Sequence, residues 1–314
     1  MNTLSLKKVA GIFLALALML AFALALTSCG EEKAEAEKGS KGNPVKIGVV
    51  GASDSQWDAF KKAAEVEGIY VEIKDFSEYS EPNPALTEGA LDLNEFQHIL
   101  YLAKYNVDAD QDLVPVGATA VYPISLWGDR AKDVTSLESL EDGDQVAIPD
   151  DGTNQSRAIF LLKNAGLVKL IEGHSEIVTP ADIDRNESKV TVYPVTASQT
   201  AISLSDPKIK AAIINNDFVK NLSEENKDNS LYTEDGDSEG AKPYINVFVA
   251  RHADEDNALY LKLAQIFNSD GDTQLALAKE AGGSDKINTL VNATPINELK
   301  DILETQEALY KASK

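Results

Sequence analysis

The run LDLNEFQHILYL, from Leu91 to Leu102, carries Phe96, His98 and Tyr101 where a strand pattern gives way to a helical one. Aromatics at helical spacing ordinarily pack a core, and one histidine there serves equally as a cap or a core residue. Taken singly, each of the three is a packing residue. The run DDGTNQSRAIFLLKNAG offers more. Asn154 and Arg157 lie three apart, on one face of a first helical turn that Thr153 or Asp151 can cap and Gly166 can end. A cation gains nothing from the positive end of a helix dipole. Two explanations of Arg157 stand level: an anion that shares its donors with the free backbone N–H groups, or an ion pair with Asp150 or Asp151. Asn215 ends the apolar run AAIIN and Asn246 interrupts YINVFVAR. Buried amides need partners, and these are either backbone groups or the ammonium of a ligand. Tyr79, in FSEYSEPNPAL, adds an aromatic in a loop that follows a strand.

One arginine, three asparagines, three aromatics and a histidine suit the recognition of a small zwitterion with an apolar tail. Arginine takes the carboxylate, amide oxygens the ammonium, and aromatic faces the side chain. The pattern gives no reason to expect a cofactor, a metal site or a catalytic residue. His98, His174 and His252 form no close-spaced ligand pair, and neither a Gly-rich phosphate loop nor an activated serine or cysteine motif occurs.

Short apolar strands alternate with amphipathic stretches from Val45 onward. Strands are expected at 45–50, 70–76, 112–120, 122–128, 145–149, 190–195, 211–215 and 244–251, with helices near 56–66, 154–165, 198–204, 254–267 and 296–312. Asn94 is expected to cap a helix whose first turn is Glu95 to His98. The alternation predicts an α/β protein of two lobes, each a mostly parallel sheet flanked by helices. In such sheets, ligands collect beyond the carboxyl ends of strands, where these candidate residues fall.

The net charge of −22 and the lack of a basic patch argue against a nucleic-acid partner. Lys7 and Lys8 precede an apolar run from Val9 to Leu26, the pattern of an export signal over residues 1–28. LTSC resembles the bacterial lipobox, in which the cysteine is lipidated. Cys29 is the sole cysteine and has nothing to pair with. Losing residues 1–28 removes two lysines and no acids, taking the charge from −22 to −24. Residues 29–44 are charged and aperiodic and read as a flexible tether.

LTEGALDLNEFQHILYL resembles the G-x-(I/L)-D-x-N-x-F-Q-H-x-x-Y-L signature of the NlpA/MetQ lipoproteins, the methionine-binding components of ABC importers. The likeness continues in order through VGATAVYPISLW, the Ser136–Leu170 segment, AAIINNDF and KPYINVFVAR. It implies a periplasmic-binding-protein clamshell, with 45–121 and 246–314 as lobe 1 and 122–245 as lobe 2. The implied ligand set is Tyr79, Phe96, His98, Tyr101, Asn154, Arg157, Asn215 and Asn246. Arg157 and Asn154 would hold the carboxylate, Asn215 and Asn246 would bind the amino and carboxylate groups, and the other four would line the side-chain pocket. Also implied are an ABC permease with its ATPase as partners, and attachment through Cys29 to the outer side of the cytoplasmic membrane. L-methionine is the expected ligand. The alternatives are D-methionine or a methionyl dipeptide and, more distantly, a metal-binding transporter lipoprotein or a clamshell-fold enzyme. The chain departs from the family at GASDSQWDAF, where Trp57 can crowd or extend one wall, at Ile99-Leu100, where Lys-Pro is usual, and in the long acidic stretch from Asn215 to Tyr244.

Overall fold

The computed structural model describes residues 36–279 and 288–314. The export signal and Cys29 lie outside the described residues. The strands in chain order are β1 (Val45–Val50), β2 (Val71–Phe76), β3 (Leu93–Asn94), β4 (Val114–Val121), β5 (Ser125–Gly128), β6 (Gln145–Pro149), β7 (Thr191–Val195), β8 (Ile209–Ile214), β9 (Ser230–Thr233), β10 (Ile245–Ala250) and β11 (Thr289–Leu290). The α-helices are α1 (Ser55–Val66), α2 (Pro82–Thr87), α3 (Ile99–Ala109), α4 (Gly152–Asn164), α5 (Ala258–Ser269), α6 (Gly271–Lys279) and α7 (Ile296–Ala312). Two sheets form, ordered β11-β4-β10-β3-β1-β2 and β7-β6-β8-β5-β9.

Both sheets are mixed rather than mostly parallel. β1 runs parallel to β2 and β3, and β6 to β7 and β8. The strands nearest the crossings between lobes oppose them. β10 is antiparallel to β3 and β4, and β5 to β8 and β9. The cause is topological: β10 enters from the other lobe without a covering crossover helix, so nothing turns it parallel to its neighbours.

Alternation along the strands explains the layers. Val45, Ile47 and Val49 face one side of the first sheet, where Trp57 and Phe60 of α1 meet Leu263 and Phe267 of α5. The opposite face is covered by Leu86, Ile99, Leu102, Leu299 and Leu303 from α2, α3 and α7. In the second lobe, Val146, Ile148 and Ile213 pack on Ala158, Ile159 and Leu162 of α4.

Three further expectations need correction. Residues 38–44 are folded onto the first lobe instead of trailing as tether: Lys38 pairs with Asp92 at 3.0 Å, and Tyr70 N–H donates to Gly39 O at 2.8 Å. The charges that mark a tether in sequence here include one that finds a fixed partner. The helix expected at 198–204 is two 3-10 turns, Ala197–Gln199 and Ile202–Ser205. Hydroxyls of Thr200 and Ser203 donate to the carbonyls of Ala197 and Gln199, a local alternative that competes with helix formation. Asn94 lies on β3 and caps nothing; α3 starts later, capped by His98.

Gly117 marks the close approach of β4 to α5, since a Cβ there would lie 2.6 Å from that of Ala264. Gly117→Ala is expected to destabilise the fold by about 1–3 kcal/mol through overpacking, read as a lower urea midpoint. An unchanged midpoint would show that α5 can move away freely.

Candidate functional site

The parallel strands deliver nearly all the relevant side chains. Beyond β1 lie Gln56 and Trp57, beyond β2 Tyr79, beyond β3 the segment Glu95 to His98, beyond β6 Asn154 and Arg157, and beyond β8 Asn215. The turn after β3 is held by a buried amide triad. Asn94 Nδ2 and Gln97 Nε2 donate to Asn83 Oδ1 at 2.9 and 2.6 Å, and Asn83 Nδ2 donates to Gln97 Oε1 at 2.8 Å. This triad fixes the backbone that presents Glu95, Phe96 and His98.

A chain of hydrogen bonds then crosses from one lobe to the other. Asp151 caps α4, accepting from Asn154 N–H at 3.0 Å, and its carboxylate also accepts from Asn154 Nδ2 at 3.1 and 3.2 Å. The amide of Asn154 is thereby turned so that Oδ1 points into the cleft. That oxygen accepts from Asn215 Nδ2 at 3.0 Å and lies 3.3 Å from His98 Nε2. His98 Nδ1 accepts the Tyr101 backbone N–H at 3.1 Å as the cap of α3, so the ring proton belongs on Nε2. Burial, with the nearby Arg157 charge, lowers His98 to about 3, so the ring is neutral. Its capping role and its place in the cleft are the same geometry.

Arg157 pairs with neither Asp150 nor Asp151. Its Nε donates to both carboxylate oxygens of Glu234 at 3.1 Å, and Nη2 donates to Glu234 Oε2 at 2.5 Å and to Tyr122 O at 2.9 Å. The Tyr244 ring stacks on the guanidinium at 4.1 Å. Arg157 is 3% exposed, so a charge that helix position alone would disfavour is held by a carboxylate from the acidic stretch. Nη1 is the part of its donor fork with no protein partner among the described residues.

The aromatic set converges. Tyr79 lies 6.1 Å from Phe96, 6.2 Å from Tyr101 and 5.2 Å from Phe218 across the cleft. Tyr79 Oη also donates to Asp217 at 2.5 Å. Burial raises Asp217 to about 6 against the opposing pull of Tyr79 and Lys220. Between the lobes remains a cavity of about 30 Å³, lined by Tyr79, Phe96, Arg157 and Asn215 together with Gln56, Trp57 and Glu95. His98, Tyr101 and Asn154 stand behind this lining. Asn246 touches the set only through a backbone bridge to His98, its side chain donating to Tyr244 O at 3.3 Å. Among the described residues no group of three His, Cys, Asp or Glu side chains is placed to hold a metal ion. A larger cleft of about 550 Å³ opens beside Asp129 and Lys132, but the Lys132 ammonium is already spent on three carbonyls and Asp129.

Glu234, Glu95, Gln56 and Asp217 are absent from the expected set. Glu234 is remote in sequence from Arg157, and only the unusual acidity of its segment marked it. Glu95 is 3% exposed and accepts from Thr119 Oγ1 at 2.7 Å. Burial raises its carboxyl from 4.5 to about 8, aided by the charges of Asp217 and Asp54. The folded protein therefore holds this proton across a window in which the unfolded chain has released it, and stability falls as pH rises from about 4.5 to 8. His98 acts oppositely, but at lower pH, between about 3 and 6.5. Glu95→Gln removes only the first effect. In urea unfolding its stability relative to wild type is expected to increase between pH 5 and 8, by an amount on the order of a few kcal/mol. A pH-independent difference would contradict the assignment.

With this geometry in hand, comparisons place the chain among known proteins. The sequence profile of the NlpA lipoproteins matches residues 45–288. The D-methionine-binding lipoprotein MetQ of Salmonella typhi is 36% identical over 79% of this chain and 87% of that protein. Among solved structures, the substrate binding protein of a methionine transporter from Streptococcus pneumoniae aligns with a TM-score of 0.68 at 30% identity, covering 79% of this chain and 95% of that one. A nutrient binding protein from Burkholderia cenocepacia bound to methionine aligns with a TM-score of 0.69 at 31% identity, covering 79% and 99%. The two-sheet α/β clamshell expected from the sequence is the architecture these relatives share, and the chain belongs to the NlpA lipoprotein family.

Proposed function

We propose that the protein is the substrate-binding lipoprotein of an ABC importer, binding L-methionine between its lobes and passing it to a membrane permease and its ATPase. The relatives named above bind methionine or D-methionine or serve a methionine transporter, and they are binding proteins, not enzymes. D-methionine or a methionyl dipeptide is the alternative ligand. In this reading residues 45–121 with 246–314 form one jaw and 122–245 the other. Cys29, once lipidated, holds the chain on the outer side of the cytoplasmic membrane.

The observation that carries the reading is the convergence of Arg157 and Asn215 from one lobe with Tyr79 and Phe96 from the other on one interlobe cavity. Its volume of about 30 Å³ suits roughly one water, so an amino acid enters only when the jaws part. The jaws meet through the rings of Tyr79 and Phe96 packed against Phe218, and through polar contacts: Ser198 Oγ to Glu78 at 2.6 Å, Lys220 to Asp54 at 3.4 Å, and Tyr79 to Asp217. A ligand touching both jaws favours the closed form because only that form offers all its contacts. Its carboxylate would meet the Nη1 edge of Arg157, and its side chain the rings of Tyr79, Phe96 and Tyr101, with His98, Asn154 and Asn246 supporting them.

Isothermal titration with L-methionine is expected to show binding by the wild type and a loss of about 3–5 kcal/mol in Arg157→Ala. Circular dichroism would confirm that the variant still folds without the partner of Glu234. A folded variant with wild-type affinity would remove the arginine from recognition. For the anchor, labelled palmitate should enter the wild type, while Cys29→Ser should remain unlabelled and leave the membrane fraction. Labelling of that variant would place the lipid elsewhere.

A further inference from the structure

Each lobe contributes one carboxylate to the interlobe cavity. Glu95 stands beyond β3 and Asp217 beyond β8, and both line the same space of about 30 Å³. Glu95 is 3% exposed and accepts from Thr119 of its own lobe, while Asp217 accepts from Tyr79 across the gap. A third acid, Asp54 at the N-cap of α1, acts on Glu95 from the first lobe. The cations in reach are already matched: Arg157 by Glu234, and Lys220 by Asp54 at 3.4 Å. Tyr79 and Tyr122 are the other titratable groups lining the cavity, and burial keeps both phenols neutral. Shutting the jaws therefore takes Glu95 out of water and brings Asp217 towards it, and both changes oppose ionisation. Parting them rehydrates the carboxyl and separates the two acids.

We propose that closure of the jaws takes up a proton on Glu95, so that the empty cleft shuts more readily as its surroundings become acidic. This rests on the two moving jaws of the function proposed above and on no particular ligand. In the closed arrangement burial first, then Asp217 and Asp54, raise Glu95 from 4.5 to about 8. A group that gains proton affinity on closing adds nothing above its closed value and favours the closed form increasingly below it. The closed-to-open ratio thus gains up to about tenfold per pH unit on the way down from 8 towards 4.5. Asp217, raised by burial to about 6, acts in the same direction but only in more acid surroundings. His98, held neutral in the closed cleft, opposes them below about 6.5. The range above pH 7 therefore belongs to Glu95.

The test is single-molecule Förster transfer on the full chain in detergent micelles, with dyes on Val66→Cys in one lobe and Ile171→Cys in the other, both exposed positions. Without ligand and at constant ionic strength, the closed-to-open ratio of the otherwise wild-type cleft should rise about tenfold between pH 9 and 7. Glu95→Gln should hold a constant ratio over that range, and Asp217→Asn should move the rise to lower pH. A wild-type ratio that does not change with pH overturns the proposal, as does a rise that survives in Glu95→Gln. Saturating amino acids at pH 8.5, L-methionine first, tell this failure from failure of the jaws themselves. Closure by an amino acid without closure by acid leaves the binding function standing and removes the proton. Transfer that responds to neither overturns both.

Discussion

A guanidinium with 3% of its surface exposed must be surrounded by groups that replace water, and the cleft is arranged around that requirement. Arg157 is reached by a carboxylate from the end of β9, a carbonyl from the first crossing between lobes and a ring from the second. Both crossings are thus tied to one side chain. Its charge also acts on the opposite lobe, helping to keep His98 neutral and so able to serve as the acceptor that caps α3 and the donor facing Asn154. Removing the positive charge would leave Glu234 unmatched and relax the constraint on His98 together.

The second feature is polarity across a short distance. Arg157 and Glu95 line the same small cavity, together with the rings of Tyr79, Phe96 and Trp57. In the proposed reading the carboxylate of a zwitterion gains at the guanidinium end, whereas a reversed one brings its ammonium to like charge. The aromatic flank is less selective. Tyr79, Phe96, Tyr101 and Phe218 already satisfy one another by edge and tilted contacts, so a ligand side chain must replace ring contacts with its own. Affinity for the apolar end is then a difference between two packed states, and discrimination among similar side chains is expected to be modest.

Much of this was legible in sequence where the signal is local. QVAIP followed by DDGTNQSR announces a buried strand and a capped helix, and Asp151 does cap it. Eight of the strands show as apolar runs, but β3, β9 and β11, two to four residues long, owe their pairing to neighbours. The start of α3 was misplaced because Asn94 is a good capping residue in isolation. The structure spends its side chain on Asn83 and Gln97, and that triad could not be seen without the fold. Sequence also offered Asp150 or Asp151 as the partner of Arg157. A carboxylate 77 residues further on won because the sheet brings it there. The burial of Glu95 was hidden for the same reason, since Thr119, whose hydroxyl donates to its carboxyl, lies on a strand 24 residues further on.

The most direct test of the account is a crystal structure of the protein grown with L-methionine. The account predicts one amino acid enclosed between the lobes, its carboxylate on Arg157 and its thioether against Phe96 and Tyr101. Density for the amino acid outside the interlobe cleft, with Glu234 and Tyr244 alone enclosing the guanidinium, would contradict it.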